Sequence, residues 1–380
     1  MEHPGQIEGL SAQAAKIVAP ETPIPMKMMA ASGLAPLPSG DMLSVLYLLS
    51  YDSDATLAGK AKASIGKIPA NILVDALTHH TSPFVLDGSA HNLLTDLSAV
   101  EQIILNRHTA GDTIIWLSEK LTSERLLEMI AANEQRMLAY PRIIEVLYLN
   151  SAARMSTVDR AVELAVRNGI ELQGISAFEE VKKAIQGQLI VEPSGDNEPL
   201  PEDMEFSSAL QTDLRDAVDE AIVSDVFEAL EAGKDARGSD EEKKVADLAV
   251  TLSNLTISQK IRVATLGNAS QRAILIRDSN KLVIMAVLKS PALNDSEIMR
   301  YSAARSLPEE AIRYITSKRD WTKHYQVKLN LVNNPKTHIA EALRFLNHLR
   351  PNDLRGLERS KDVTGVVKNA ARELRRKRSE

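Results

Sequence analysis

The side chains that most often do chemistry are scattered along this chain of 380 residues. Eight histidines are present, but no two of them flank a glutamate in the HExxH pattern of a helical zinc site. The chain contains no cysteine, which excludes disulfides, zinc ribbons and thiol nucleophiles. The carboxylate pair Glu309-Glu310 begins a predicted helix, where a solvated first turn is the ordinary role. We therefore predict no metal and no cofactor.

The common frames for phosphate binding and nucleophilic catalysis are also missing from the sequence. It has no GxxxxGK[ST] or GxGxxG loop to cradle a phosphate and no GxSxG turn to present a serine. Serines are plentiful, but none is set in a known catalytic frame. From these absences we predict that the protein is not an enzyme.

Two aromatic residues in the last third of the chain are candidates for binding a partner. Trp321 and Tyr325 are spaced i, i+4 on one predicted helix, and Lys323 lies between them. Tryptophan, tyrosine and arginine carry much of the binding energy at protein interfaces, so an exposed pair would be a natural contact point. Packing between helices is the alternative role for the same pair.

A second candidate surface is the basic C-terminal helix predicted over residues 363–378. Lys368, Arg372, Arg375 and Arg376 lie partly along one face of that helix, and residues 375–378 form a cationic tail. Such a cluster could neutralise phosphates without reading base sequence. The alternatives are a solvated capping helix, a protein partner, or association with an acidic part of the same chain. Aromatic residues make up only 4% of the chain, which disfavours base-stacking platforms.

The formal net charge of -6 conceals a strong polarity along the chain. Residues 1–191 carry 15 basic and 21 acidic side chains, residues 192–242 carry 3 and 17, and residues 243–380 carry 27 and 13. The three segments therefore have charges of -6, -14 and +14. This distribution indicates an acidic segment placed between two parts of different composition.

The elements that must position these residues are predicted to be helices. From residue 41 onward, short segments carry apolar residues at i, i+3, i+4 and i+7, the spacing of amphipathic helices. The turns between them recur, because Leu105-Asn106 returns 44 residues later as Leu149-Asn150, and Ser290-Pro291 returns 44 residues later as Asn334-Pro335. A period of ~44 lies within the range of HEAT and armadillo repeats. We therefore predict an all-α protein built as an α-solenoid.

The predicted organisation has four parts. Residues 1–40 form an extended arm rich in proline and alanine, because proline disfavours both helix and central strand. Residues 41–188 form an N-terminal repeat block, and residues 243–380 form a basic C-terminal repeat block. Residues 189–242 form an acidic linker that is disordered over residues 192–203 and carries one amphipathic helix over residues 208–231.

Four segments in the last third of the chain carry a resemblance to a known family. They are KIRVATLGN at 260–268, IRDSNKLV at 276–283, RDWT at 319–322 and NPKT at 334–337. These segments resemble those of a widespread bacterial family of HEAT-like or leucine-rich-repeat-variant helical proteins. The resemblance covers the C-terminal third well and residues 105–169 more loosely. It implies a helical-repeat fold and carries no catalytic residues with it.

The functional expectation is a scaffold or adaptor that binds a protein partner on a helical-repeat surface. The alternative is nucleic-acid binding by residues 243–380, with the acidic linker as an internal competitor. The longest apolar run, over residues 42–49, is far shorter than the ~20 residues of a membrane-spanning helix, so no membrane partner is expected. The N-terminus has no secretory pattern, which predicts a cytoplasmic location. No oligomeric state is predicted.

Overall fold

A computed structural model describes residues 10–187, 200–212, 222–223, 225–226, 240–360 and 363–379. Within these ranges every regular element is a helix, which confirms the all-α prediction. None of the described helices is long and apolar enough to cross a membrane. The chain divides into two compact units, residues 1–153 and residues 154–380. The predicted organisation instead separates two repeat blocks by an acidic linker over residues 189–242, and those bounds stay a prediction.

The first unit consists of short helices joined by tight turns. Side chains that can accept hydrogen bonds begin several of them: Asp54 accepts from the amides of Thr56 and Leu57, and Asp96 accepts from those of Ser98 and Ala99. The helices of this unit are α1 (Ala12–Val18), α2 (Ile24–Ala31), α3 (Ser39–Leu49), α4 (Ala55–Ile65), α5 (Ala70–Thr78), α6 (Pro83–Asn92), α7 (Leu97–Leu105), α8 (Gly111–Lys120), α9 (Glu124–Ala131), α10 (Glu134–Ala139) and α11 (Arg142–Leu149).

Two helices, α1 and α2, lie within the described part of the predicted N-terminal arm, which contradicts the extended conformation expected for residues 1–40. The hydroxyl of Ser11 accepts the amide of Ala14 at 3.2 Å and begins α1. Pro25 lies in the first turn of α2, where the missing N–H costs nothing because that amide has no partner within the helix. Both helices pack on α3, and this tertiary contact stabilises segments too short to be helical alone. Residues 1–9 of the predicted arm lie outside the described residues.

Two asparagines in the first unit tie together the ends of neighbouring helices. Asn106, after α7, donates its side-chain amide to the carbonyls of Leu77 at 2.7 Å and His80 at 2.9 Å, beyond the end of α5. Asn150, after α11, donates in the same way to Ser118 at 2.7 Å and Leu121 at 2.9 Å, at the end of α8. These carbonyls have no partner within their own helices, so the asparagines satisfy groups that would otherwise be unpaired.

The second unit is also built from helices joined by turns, and the described helices are between 4 and 15 residues long. Three of its helices begin with capping boxes, at Thr256, Asn268 and Asn294. The helices of this unit are α12 (Met155–Arg167), α13 (Phe178–Gly187), α14 (Pro201–Gln211), α15 (Asp240–Asn254), α16 (Ile257–Leu266), α17 (Ala269–Leu275), α18 (Lys281–Lys289), α19 (Asp295–Ala303), α20 (Glu309–Ser317), α21 (Arg319–Thr322), α22 (Tyr325–Asn333), α23 (Ile339–Leu346), α24 (Pro351–Arg359) and α25 (Gly365–Ser379).

The acidic segment does not separate the two units. Its helix α14 lies inside the second unit and packs on α12, α15 and α16. The prediction of disorder is wrong for residues 201–203, because Pro201 opens α14 and the carboxylate of Asp203 accepts the amide of Leu200 at 3.3 Å. Residues 192–199 and most of the helix predicted over residues 208–231 lie outside the described residues.

The ends of helices in the second unit are tied in the same manner as in the first. Asn334, after α22, donates its side-chain amide to the carbonyls of Ser302 at 3.2 Å and Ala304 at 3.1 Å, at the end of α19. Near the end of α25, Arg378 donates to the carbonyls of Asn347 and Leu349, both at 2.6 Å, beyond the end of α23. Of the helices tied in this way, α23 also contributes to the candidate site.

Candidate binding groove

Trp321 and Tyr325 do not share a helix, which contradicts the predicted i, i+4 pair. Helix α21 ends at Thr322, and α22 begins at Tyr325 after His324 adopts an extended conformation. Trp321 packs edge-on against Tyr314 of α20, with 5.9 Å between ring centroids. Because the chain turns between them, the two aromatic side chains take part in different contacts.

Tyr325 is held by helix α24. Its hydroxyl donates to the carboxylate of Asp353 and accepts the amide of Arg350 at 2.9 Å. The guanidinium of Arg350 also lies over the tyrosine ring, 4.7 Å from its centroid. Desolvation, followed by the hydrogen bond to Asp353, raises the pKa of Tyr325. Tyr325 therefore fixes the start of α24, whereas the neighbouring Lys323 is exposed.

The basic C-terminal helix is only partly available as a surface. Arg375 is paired with Glu358 of α24, with 2.6 Å between its Nε and the nearer carboxylate oxygen. The hydrogen bond between the two side chains lowers the pKa of Glu358 and raises that of Arg375. Of the remaining predicted residues, Lys368 is half-buried, and Arg372 and Arg376 are exposed. Because Arg378 also binds carbonyls, two of the four residues in the predicted cationic tail have structural roles.

A groove of about 580 Å³ lies in the second unit between α20, α21 and α23. We refer to it as the basic groove. Helices α20, α21 and α23 and the turn that precedes α23 all contribute side chains to its lining. Its lining residues are Glu309, Ile312, Arg313, Thr316, Ser317, Arg319, Thr322, Lys336, His338, Glu341 and Arg344.

Cationic side chains outnumber carboxylates in the basic groove by four to two. Lys336 is fixed, because its ammonium donates to the carbonyl of Leu307 at 2.6 Å. Arg344 lies 2.6 Å from a carboxylate oxygen of Glu341, three residues earlier on the same helix. Arg313 and Arg319 are both exposed, and within the described chain neither is paired with a carboxylate. Among the described residues, no carboxylate therefore pairs with the guanidiniums of Arg313 and Arg319 in the groove.

The floor of the basic groove is less polar than its rim. Ile312 is buried at 1% exposure, and the methyl-bearing side chains of Thr316 and Thr322 are buried beside it. His338 accepts the amide of Ala340 at 3.3 Å through Nδ1, which orients its ring at the start of α23. An apolar floor beneath charged rims suits a ligand that offers both a carboxylate or phosphate and an apolar group.

The sequence analysis did not identify the residues of this groove. Arg313, Arg319 and Arg344 come from three different helices, and no local pattern links them. The excess of 14 positive charges over residues 243–380 was the available signal, but it does not say which cations remain unpaired. Among the described residues no group of three histidine, aspartate or glutamate side chains could hold a metal ion.

Comparison of the whole chain with models of protein families, with curated proteins and with solved structures gave no match.

Proposed function

We propose that this protein is a non-enzymatic helical-repeat adaptor that binds an acidic segment of a protein partner in the basic groove. The observation that carries the proposal is the pair of exposed guanidiniums of Arg313 and Arg319, which no carboxylate of the described residues neutralises and which line the same groove as the buried Ile312. An arginine binds a carboxylate through two parallel hydrogen bonds, which makes it well suited to an aspartate or glutamate of a partner.

The helical-repeat part of the proposal is supported by equivalent positions in each unit. Asn106 and Asn150 stand 44 residues apart and make the same contacts, and α19 and α23 begin 44 residues apart, at residues 295 and 339. In each case a later helix packs on an earlier one, and a side chain near or just beyond the end of the later helix donates to carbonyls at or beyond the end of the earlier helix. Stacked units of this kind commonly present surfaces for other proteins.

A protein partner fits the groove better than a nucleic acid does. Tyr314 and Trp321 pack against each other and do not line the groove, so it offers no aromatic platform for bases. The carboxylates of Glu309 and Glu341 within the lining would repel a continuous phosphate backbone. A peptide can place acidic, basic and apolar side chains at separate positions and so match the mixed lining.

The proposal is tested with the full-length chain and a displayed library of random peptides of about 15 residues. We expect enrichment of sequences that combine aspartate or glutamate with an apolar residue, and we expect the enriched peptides to bind in fluorescence anisotropy. Arg313→Glu together with Arg319→Glu should weaken binding by at least about 100-fold, because each charge-assisted hydrogen bond contributes ~1.5–3 kcal/mol and two are lost. The matched control is Lys323→Glu with Arg359→Glu, which changes the charge equally at exposed positions outside the groove.

Three results would overturn the proposal. The first is a library from which no acidic peptide is enriched. The second is an equal loss of binding in the groove variant and in the matched control, which would indicate non-specific attraction. The third is tighter binding of single-stranded DNA or duplex RNA than of any enriched peptide at near-physiological salt. For this result to count, the nucleic acid must compete with the peptide, and the groove variant must weaken the binding of both.

A further inference from the structure

The last two helices, α24 and α25, pack on each other and carry an excess of basic side chains. We refer to them as the terminal helix pair. Together they hold eight arginines and lysines but three carboxylates. Asp353 accepts the hydroxyl of Tyr325 and Glu358 is paired with Arg375, so within the pair only Glu373 remains to balance the other cations. The terminal helix pair therefore has a strongly positive surface.

Four exposed arginines of the terminal helix pair stand in two i, i+4 pairs. The first pair is Arg355 and Arg359 on α24, and the second is Arg372 and Arg376 on α25. Residues at this spacing share one face of a helix and lie ~6 Å apart along its axis. Within the described chain no carboxylate is in ion-pair contact with Arg355, Arg359 or Arg372. These guanidiniums are therefore available to an anionic partner.

An ion pair between the two helices brings the arginine pairs together. Nε of Arg375 lies 2.6 Å from a carboxylate oxygen of Glu358. Arg355 precedes Glu358 by three residues, and side chains at this spacing are neighbours on the surface of a helix. Arg372 precedes Arg375 by the same spacing, so one arginine of each pair flanks the ion pair. Because packed helices lie ~8–10 Å apart, the two pairs form a patch of about 6 by 10 Å.

The charge density of this patch suits a nucleic-acid double helix better than an acidic peptide. A double helix carries one negative charge per ~1.7 Å of its axis, so ~10 Å of duplex presents about six phosphates. An extended peptide advances ~3.3 Å per residue and points alternate side chains away, so it presents about two carboxylates to one face over the same length. A guanidinium binds a phosphate through two parallel hydrogen bonds, which lets each arginine of the patch hold one phosphate group.

Single-stranded nucleic acids and anionic membranes fit this surface less well. Proteins that bind single strands stack the bases on aromatic side chains, and neither α24 nor α25 contains an aromatic residue. A helix that binds at a membrane interface inserts an apolar face. That face of α25 is already used inside the protein, because Val367 and Ala371 are buried at 3% and 0% exposure. A double helix contacted through its phosphates requires neither feature.

We propose that the terminal helix pair binds the phosphate backbone of a nucleic-acid double helix through its two pairs of exposed arginines, without reading the base sequence. None of the residues that line the basic groove lies on α24 or α25, so the two surfaces are separate. Binding of a duplex here does not depend on peptide binding in the groove. A protein with both surfaces can hold an acidic peptide and a double helix at the same time.

The test is fluorescence anisotropy of the full-length protein with a labelled DNA duplex of about 20 base pairs, between 50 and 200 mM NaCl. Four phosphate contacts predict a slope of about -3.6 in the plot of log binding constant against log salt, which is a roughly 100-fold loss of affinity over this range. A duplex of scrambled sequence should bind equally well. Arg359→Gln together with Arg372→Gln should weaken binding at least about 10-fold and bring the slope about 2 closer to zero.

The matched control is Arg313→Gln together with Arg319→Gln, which removes the same charge from the basic groove and should leave the slope unchanged. The proposal is overturned if the wild-type protein does not bind the duplex at 50 mM salt. It is also overturned if the terminal variant keeps the wild-type slope, or if the control changes the slope as much. Tighter binding of vesicles that contain phosphatidylserine, weakened by the same terminal variant, would assign the surface to membranes instead.

Two further measurements keep the outcome clear. If the double terminal variant fails to fold, Arg359→Gln alone should bring the slope about 1 closer to zero, and an unchanged slope would again overturn the proposal. Peptide binding is measured separately on the same variants. Loss of duplex binding with normal peptide binding leaves the proposed adaptor function untouched, and the reverse result leaves the duplex-binding surface untouched.

Discussion

Replacing Asn106 by alanine tests whether the asparagine ties hold the helices of the first unit together. Asn106 is 6% exposed, and its amide donates to Leu77 and His80 while its carbonyl oxygen accepts the amide of His108 at 2.9 Å. Alanine leaves two carbonyls and one N–H without these partners. A net hydrogen bond contributes ~1 kcal/mol and a buried unpaired group costs ~1–3 kcal/mol, so we expect the unit to lose about 3 kcal/mol of unfolding free energy.

The assay is the free energy of opening obtained from hydrogen exchange of peptides over α5 and α7, which reports on the first unit by itself. Asn71→Ala is the matched control, because Asn71 is exposed on α5 and its replacement should change stability by no more than ~0.5 kcal/mol. Asn106→Asp keeps the oxygen that accepts the amide of His108 but removes the side-chain N–H donors and places a carboxylate against the carbonyls. It should therefore lower the free energy of opening at least as much as Asn106→Ala does.

The reasoning fails if Asn106→Ala lowers the free energy of opening by less than about 1 kcal/mol. It also fails if Asn106→Ala and Asn71→Ala lower that free energy by the same amount. It also fails if Asn106→Asp restores wild-type protection. That outcome would mean that the side chain fills space or forms only its local turn, and that the carbonyls at the end of α5 need no donor from the following helix.

Three further changes have expected outcomes that urea denaturation of the full-length chain can measure. Gly88→Ala should lower stability by about 2–3 kcal/mol, because its Cβ would lie 1.7 Å from the hydroxyl oxygen of Tyr47 in a packed core; unchanged stability would contradict this. Burial lowers the pKa of His80, so the first unit should lose stability as pH falls below ~6.5, and His80→Gln should weaken that dependence. Glu297→Gln should lower the free energy of unfolding by ~3–5 kcal/mol, because it leaves the buried Arg272 guanidinium without the carboxylate now 2.9 Å away. Arg272→Met combined with Glu297→Leu should recover most of that loss, because it removes the buried charge as well.

The recurrence of turns at a spacing of 44 residues was visible in the sequence, but the reason for it was not. Asn106 and Asn150 stood out as repeated turn residues. Their hydrogen-bond partners lie 26 to 32 residues earlier in the chain, beyond any local pattern. Sequence periodicity therefore predicted where the ties occur, and only the packing of α5 on α7 and of α8 on α11 shows what they bind.

The predictions that failed relied on local rules that packing overrides. Proline was taken to exclude helix over residues 1–40, yet Pro25 occupies the first turn, where proline is tolerated. The spacing of Trp321 and Tyr325 assumed one continuous helix, but neither glycine nor proline marks the turn at residues 323–324. Contacts with α3 stabilise the helices within residues 1–40. Contacts of Trp321 with α20 and of Tyr325 with α24 hold the two aromatic side chains apart.

The segmental charges predicted a basic surface in the last third of the chain, but charge counts do not distinguish cations that bind helix ends from cations that remain unpaired. Lys336 and Arg378 donate to carbonyls, as cations near helix C-termini commonly do. Arg313 and Arg319 lie where no carboxylate or helix end in the described chain reaches them, and these two residues therefore account for the character of the basic groove.

The same distinction applies to the acidic segment. A charge of -14 next to one of +14 suggested attraction between the two, yet α14 is held at its ends by the neutral amides of Gln259 and Gln271. The charge totals therefore do not identify what docks α14, because the contacts at its two ends are hydrogen bonds between neutral side-chain amides and backbone carbonyls.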